Sequence, residues 1–510
     1  MKLEDIINIA QKRGFFYPSA EIYDAIAGFW NYGPVGYLLK RKIENEWRKF
    51  FIKDKYYKQG DKNPPPTLIR TRCFEMQGTD IMLEDVFNAS GHIKSFADPL
   101  TQCKKCKSMF RTDKLIEDKL NIFVPERTTE KKFDEIIKKN KIKCPNCSGE
   151  LTKTRYFNMM FKLDVGPTEQ AKTAYLRPET CQAIFTDFQK IYKIMRAHLP
   201  LGIAQIGRAF RNEISPRRTL LRQREFTQAE LEVFFDPEKI DDFPEFETIK
   251  NEKIRIQMEN EEQPKEITVE HAVEKNLIKA KLFAYYLAKI YQFINILGIK
   301  NESIRLREQT KDERPFYASQ AFDCEVETLT GWTEIVANHY RTDHDISSHM
   351  KVSKKDLRIL ENEKKIIPHV WEVSQGIDRT VFCVLVHCYR EDERGWSWFA
   401  FPPEISPYAV GVFPLVNKNG LPAKAKEVYK MLDDFDVFYD DKGSIGRRYA
   451  RADEIGTPFG ITIDNQTLED NTITIRNRDN CKQVRILIKD LVDIISKLIS
   501  GKMKFEEIEK

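Results

Sequence analysis

Residues 204–235 read AQIGRAFRNEISPRRTLLRQREFTQAELEVFF, two strand-like halves around an arginine-rich loop. With the two-residue period of a strand, Gln205, Gly207, Ala209, Arg211 and Glu213 share one face of the first half. Phe226, Gln228, Glu230 and Glu232 share a face of the second. Small residues beside Arg211 leave room for an anionic ligand, and the loop SPRRTLLRQR adds four arginines. Such a hairpin presents a guanidinium, an aromatic plane and carboxylates together. Phosphates fit the arginines, and a purine fits between Phe226 and a second cation. A solvated, salt-bridged hairpin is the plainer alternative, but it leaves Phe226 and the small residues without a purpose.

Outward from the hairpin, two further pieces fall into the same pattern. In HVWEVSQGIDR (369–379), Glu372 and Ser374 share a strand face. Gly376 then turns the chain into a helix whose buried side carries Ile377, Val381, Val384, Leu385 and Cys388. Arg379 falls in the first helical turn, where it adds to the positive helix terminus and suits a terminal phosphate. A surface arginine with one carboxylate partner fits equally well. In GWTEIVA (331–337), Trp332, Glu334 and Val336 share a face, and Glu334 is either a magnesium ligand on a nucleotide or an ordinary edge carboxylate.

The rest of the chain reads as follows. Residues 1–12 form a short helix ending near Gly14, and a second helix runs from Tyr37 to Phe51 after the turn Gly33-Pro34. Asn63-Pro64-Pro65-Pro66 is a hard stop. Residues 97–155 hold two cysteine pairs and a lysine-rich connection, and read as an inserted module. An aromatic-rich helix covers Glu179–Leu199. Residues 237–315, highly charged with one helix at 277–297, read as a second insertion. Beyond Phe401-Pro402-Pro403, strands and helices alternate as in a small α/β domain with a largely parallel sheet. The implied divisions are 1–96, 97–155, 156–236, 237–315, 316–400 and 401–510.

With 510 residues, 41% hydrophobic, the chain has material for several cores, and a mostly disordered chain is excluded. The net charge is +5 on 83 basic and 78 acidic residues, so nucleic acid would be held by local patches and not by bulk charge. Cys103/Cys106 and Cys144/Cys147 form two CxxC knuckles whose four thiolates suit a closed, structural zinc site. The other six cysteines stand in apolar or strand-like surroundings. No long apolar segment marks a leader or a membrane span, and the expectation is a soluble, cytoplasmic, reduced protein.

In this order, the pieces resemble the class II aminoacyl-tRNA synthetases: the FRNE–loop–REF hairpin their second motif, GIDR their third, and the Tyr37–Phe51 helix their dimerising first motif. WNYGPVGYLLKRKIENEW, RPET, FRNEISPRR, REFTQAELE and GSIGRRYARADEIGTPFG are similar to the dimeric (α2) glycyl-tRNA synthetases of archaeal and eukaryotic type, over nearly the whole chain. The resemblance implies an α+β fold. Its core is an antiparallel sheet flanked by helices, with a zinc-module insertion and a C-terminal α/β anticodon-binding domain. It also implies a homodimer acting on glycine, ATP with Mg2+, and tRNA(Gly), with no membrane partner.

Residue roles follow by resemblance. Arg211 meets the α-phosphate, Glu213 the adenine, and Phe226 stacks on it. Arg222, with Leu221, Gln223, Arg224 and Glu225, approaches the outer phosphates, and Asn212 and Gly376 complete the ATP set. Arg379 takes the γ-phosphate, and Glu334 with Ile335 lines ATP and its magnesium. Arg211 and Arg379 are the catalytic pair. Glycine is expected among Glu179, Glu230, Glu372 and Ser374, with Phe226, Gln228 and Val373 beside it. Arg341 lies near its carboxylate, and Arg111 also contributes to substrate binding. Where the family often has Glu-Pro-Ser, this chain has Glu372-Val373-Ser374. Glycine has no side chain to grip, so selectivity must come from crowding the α-carbon. The zinc module and the 237–315 insertion are expected to grip the tRNA acceptor stem, and in the C-terminal domain Arg447, Arg448, Arg451, Arg476 and Arg478 are expected to contact tRNA, or else to form a solvated face.

Overall fold

The structure is a computed structural model that describes residues 2–52, 72–125, 128–167, 171–216, 219–315, 317–393 and 395–508. The proline stop at 64–66 and the loop arginines Arg217 and Arg218 lie outside the described residues.

A nine-stranded sheet organises the larger part of the chain. From one edge to the other its strands are Lys265–Thr268, Lys253–Gln257, Ile304–Glu308, Ala321–Thr328, Gly331–Thr342, His369–Gly376, Glu225–Phe235, Leu201–Phe210 and Arg72–Glu75. The pairs Lys253–Gln257/Ile304–Glu308 and Leu201–Phe210/Arg72–Glu75 are parallel, and the other neighbours are antiparallel. One face packs on helices. Pro34–Phe51 buries Leu39, Ile43, Trp47 and Phe50, and Ile377–Cys388 is buried along most of its length. The helix begins earlier than its apolar stripe, because Pro34 sits in the first turn with Gly33 as cap. Gly36 is required there, since a Cβ would overlap the Phe15 carbonyl.

Residues 237–315 do not fold apart from the main core. Three of their strands complete the main sheet, and their helix Lys281–Ile296 is buried on nearly every side within the main core. Phe283 stacks on Trp371 at 4.2 Å, and Phe293 meets Phe50 and Phe51. Most of the segment's charges sit on its strands and turns, and the helix itself is buried on both faces, as a core helix is.

Residues 97–158 form a three-stranded antiparallel sheet, Met109–Arg111, Ala97–Gln102 and Arg155–Asn158. Two helices, Thr112–Leu120 and Glu130–Lys139, enclose a small core of Leu115, Ile116, Val124, Phe133 and Ile142.

The C-terminal sheet runs Val437–Tyr439, Val410–Pro414, Phe459–Ile463, Thr472–Asn477, Gln483–Leu487. It is mixed, not largely parallel: the first two interfaces are parallel and the last two antiparallel. Only residues 464–471 join the third strand to the fourth, too few for a parallel crossover.

Three arginines of this domain, Arg448, Arg476 and Arg478, turn inward, and Arg451 is partly buried. Arg476 pairs twice with Asp453 at 2.9 and 3.0 Å. Arg478 donates to the Gly456 and Phe401 carbonyls, Arg448 to those of Pro414, Asp441 and Gly443, and Arg451 bonds Asp440. Arg448, Arg476 and Arg478 are buried in these structural contacts, while Arg451 is partly exposed and Arg447 exposed. No helix among the described residues is long and apolar enough to cross a membrane.

Candidate active site

Strand register builds the site. The hairpin pairs Gln205 with Glu230, Gly207 with Gln228 and Ala209 with Phe226. The next strand brings Ser374 opposite Glu230 and Glu372 opposite Glu232, and the one after brings His339 opposite Glu372 and Ala337 opposite Ser374. The face expected for Trp332, Glu334 and Val336 is broken by a bulge at Ile335: Glu334 pairs with Glu325 but Val336 with Cys324. The extra residue changes the phase, so Val336 turns to the core while Glu334, Ala337 and His339 line a cavity of about 890 Å³.

Three carboxylates gather at one end. Glu179 lies one residue before Thr180, the cap of the helix Cys181–Ile194, and its Oε1 receives the Cys181 thiol (3.0 Å) and the Gln182 amide (3.1 Å), with His92 Nε2 at 3.2 Å. Glu230 accepts from the hydroxyls of Thr180 and Ser374, the latter at 2.9 Å. Glu372 meets His339 Nδ1 at 2.6 Å and the Arg341 guanidinium at 3.1 Å. Cys181, Glu230 and Glu372 offer donor atoms within 4.8 Å of one another, a spacing suited to a small cation.

The charges differ with surroundings. Burial, then the charges of Glu179 and Glu372, push Glu230 up to about 7. Burial also acts on Glu179 and Glu372, but His92 and Arg341 hold Glu179, and Arg341 and His339 hold Glu372, below the usual carboxylate range. Glu232, fully buried with neither oxygen hydrogen-bonded, is driven well upward by burial and then by Glu372.

At the other end are the guanidinium groups. Arg211 lies between two rings, 5.3 Å from the Phe96 centroid and 5.2 Å from that of Phe226, and its Nε donates to the Pro178 carbonyl at 3.0 Å. Arg379 donates to the Leu221 and Glu334 carbonyls and pairs with the Glu334 carboxylate at 3.3 Å. Arg222 pairs with Glu213 at 2.6 Å, and Arg111 with Asp98 at 2.8 Å. The small Gly207 does not leave ligand space: the Arg177 guanidinium fills it, pairing with Asp80 and the Arg208 carbonyl.

Most of the expected residues line this one cavity: Arg111, Glu179, Arg211, Glu213, Leu221, Arg222, Gln223, Phe226, Gln228, Glu334, Ile335, Glu372, Ser374, Gly376 and Arg379. Glu230 and Arg341 lie just behind that wall, Arg341 held twice by Asp345. Four more of the expected residues do not line the cavity. The Val373 side chain enters the hydrophobic core, because it alternates with Glu372 and Ser374 along the strand. Arg224 reaches the Ala27 and Glu213 carbonyls, Glu225 pairs with Arg208, and Asn212 donates its backbone N–H to the Met159 carbonyl.

Several further participants carry no signal in the sequence. Asp378, inside GIDR itself, accepts from Tyr32, Lys40 and the Thr227 amide and so ties the three motifs together. His92 and Phe96 come from GHIKSF, a run with no periodicity to mark it.

Away from this cavity, the Sγ atoms of Cys103 and Cys147 lie 3.5 Å apart and those of Cys106 and Cys144 3.6 Å. A tetrahedron with zinc–sulfur bonds of about 2.3 Å has edges of about 3.8 Å, so the four-sulfur set fits a metal of that kind.

Two family models match the chain: the tRNA synthetase class II core domain (G, H, P, S and T) over residues 161–251, and the anticodon binding domain over residues 409–498. Among curated proteins, the glycine--tRNA ligase of Pyrococcus furiosus is 37% identical over 98% of this chain and 99% of its own length. That of Aeropyrum pernix is 37% identical over 99% and 98%, and that of Methanocaldococcus jannaschii 36% identical over 96% and 98%. With the class II core, the anticodon-binding domain and relatives matched end to end, the chain belongs to the glycine–tRNA ligase family of class II aminoacyl-tRNA synthetases.

Proposed function

We propose that this chain activates glycine with ATP to glycyl-adenylate and passes the glycyl group to the 3′ end of tRNA(Gly). The observation that carries the reading is one cavity lined by the carboxylates of Glu179 and Glu372 and the guanidinium groups of Arg211, Arg222 and Arg379. Glu179, Glu230 and Glu372 hold the ammonium and crowd the α-carbon, so that any side chain larger than hydrogen is refused. Arg211 aligns the α-phosphate with the glycine carboxylate, and Arg379 takes the γ-phosphate. The step is one of alignment and charge neutralisation and needs no nucleophilic side chain. Phe226 stacks on the adenine, Glu213 and Arg222 meet the nucleotide, and Glu334 holds its Mg2+, which neutralises phosphate charge when bound. Arg341, bound to Glu372 and Asp345, acts on the pocket through those carboxylates.

Zinc in the four-cysteine site is structural, because sulfur fills every position. A homodimer is supported by apolar side chains left in the open at the N-terminal end: Ile22, Tyr23 and Ile26 are 86%, 81% and 68% exposed, with Tyr37 at 59%. The ten free thiols suit the cytoplasm. The 97–155 module and the 237–315 segment are proposed to grip the acceptor stem, and the exposed Arg447 to contact tRNA. ATP–pyrophosphate exchange with each of the twenty amino acids tests the assignment. Exchange supported by glycine is expected, and exchange supported by alanine or serine in its place overturns it.

A further inference from the structure

The turn Gly91–Phe96 touches both ends of the cavity. Gly91, at φ +83°, starts a single helical turn, His92–Ser95, which the chain leaves through Phe96. At one end, His92 Nε2 stands 3.2 Å from Glu179 Oε1, while its Nδ1 is 2.7 Å from the hydroxyl of the buried Ser90. Phe87 and Phe96 pack around the imidazole, with ring centroids 5.9 and 5.6 Å away. Imidazole, thiol and amide all converge on Oε1 of Glu179, so the other carboxylate oxygen is left for a ligand.

At the other end, Phe96 forms one side of the aromatic sandwich around Arg211. The backbone reinforces it: the Phe96 carbonyl accepts from Met159 N at 3.1 Å, and the Met159 carbonyl accepts from Asn212 N at 2.7 Å, next to Arg211. Pro178, which holds Arg211 Nε, is the neighbour of Glu179.

We propose that His92 and Phe96 are positioning residues for adenylate formation: His92 sets the Glu179 carboxylate toward the glycine ammonium, and Phe96 sets the Arg211 guanidinium toward the α-phosphate. The inference rests on the roles proposed above for Glu179 and Arg211. Because both anchors leave one short turn, the amino acid and the phosphate are registered against the same piece of backbone.

Steady-state ATP–pyrophosphate exchange in the full-length enzyme, with glycine and ATP varied separately, tests this. Losing a hydrogen bond to a charged group predicts that His92→Leu raises the glycine KM by roughly 10- to 100-fold with the ATP KM unchanged, and that His92→Gln recovers most of the loss. Losing one ring of the sandwich predicts that Phe96→Leu impairs ATP use by roughly 3- to 30-fold with the glycine KM unchanged, and that Phe96→Tyr recovers it. Should His92→Leu not fold, His92→Asn, one methylene shorter than His92→Gln, carries the same comparison. Equal effects on both substrates, or none, overturn the proposal. If Glu179→Gln raises the glycine KM while His92→Leu does not, only the positioning role of His92 fails. If Glu179→Gln itself leaves the glycine KM unchanged, the reading of Glu179 fails and this inference with it.

Discussion

Lys40, on the helix Pro34–Phe51, reaches Asp378 at 3.1 Å at the start of the helix Ile377–Cys388, and both side chains are buried. Lys40 also donates to the Thr227 hydroxyl at 2.6 Å, and Asp378 accepts from the Thr227 amide and from Tyr32 at 2.6 Å. One ion pair thus joins the first, second and third motifs directly beneath Phe226. Removing one partner strands a buried charge. Lys40→Met is expected to lower unfolding free energy by about 3–5 kcal/mol in urea titration, and Asp378→Ala comparably. A paired Lys40→Met/Asp378→Leu variant should recover part of that stability.

Glycine binding should depend on pH through Glu230, whose carboxyl is pushed up to about 7 first by burial and then by Glu179 and Glu372. The ammonium favours the ionised form, which is present above that value and lost below it. The glycine KM in exchange assays is therefore expected to rise as pH falls through 7, by up to about tenfold per unit, and to level off above. Glu179 and Glu372, held low, should add nothing near neutrality. Glu230→Gln should bind glycine weakly with that slope gone; a slope that persists assigns the titration to another group.

What was legible in the sequence was what a short repeat or local spacing encodes. The alternation in 204–235 placed Phe226, Gln228, Glu230 and Glu232 on one face, and the two CxxC pairs announced their cluster. The bulge at Ile335 leaves no compositional mark, yet it decides that Ala337 and His339 face the cavity and Val336 does not. The helix Lys281–Ile296 is legible from its apolar spacing, but its place inside the main core, against Phe50, Phe51 and Trp371, depends on distant partners. Likewise, whether an arginine is a ligand or a tie depends on distant partners: Asp453 takes Arg476, and carbonyls of residues 414, 441 and 443 take Arg448. His92 and Phe96 gain meaning only when folding brings Glu179 and Arg211 to them.

The inward arginines give a prediction that separates fold from recognition. Arg476→Ala leaves Asp453 buried without its partner, and a loss of about 3–5 kcal/mol from the C-terminal domain is expected in thermal or denaturant unfolding of the full chain. Exchange activity, measured below that transition, should be retained because the cavity lies in the other domain. Arg447→Ala should leave the unfolding midpoint unchanged and raise the tRNA KM in aminoacylation. A raised tRNA KM for Arg476→Ala with undiminished stability would instead make Arg476 a tRNA contact.

The cysteine cluster ties metal content to the active-site wall. Cys103 directly follows the strand Ala97–Gln102, which carries Asp98, and Asp98 pairs with Arg111 and stands 3.8 Å from Arg222. One zinc per chain is expected from elemental analysis of purified protein, and cobalt substitution should give thiolate charge-transfer bands. Chelation, or Cys144→Ser, should release the metal and loosen the strand that fixes Asp98, raising the ATP KM while the glycine pocket is less affected. A metal content far below one per chain, with full activity, would show that the four thiols need no ion.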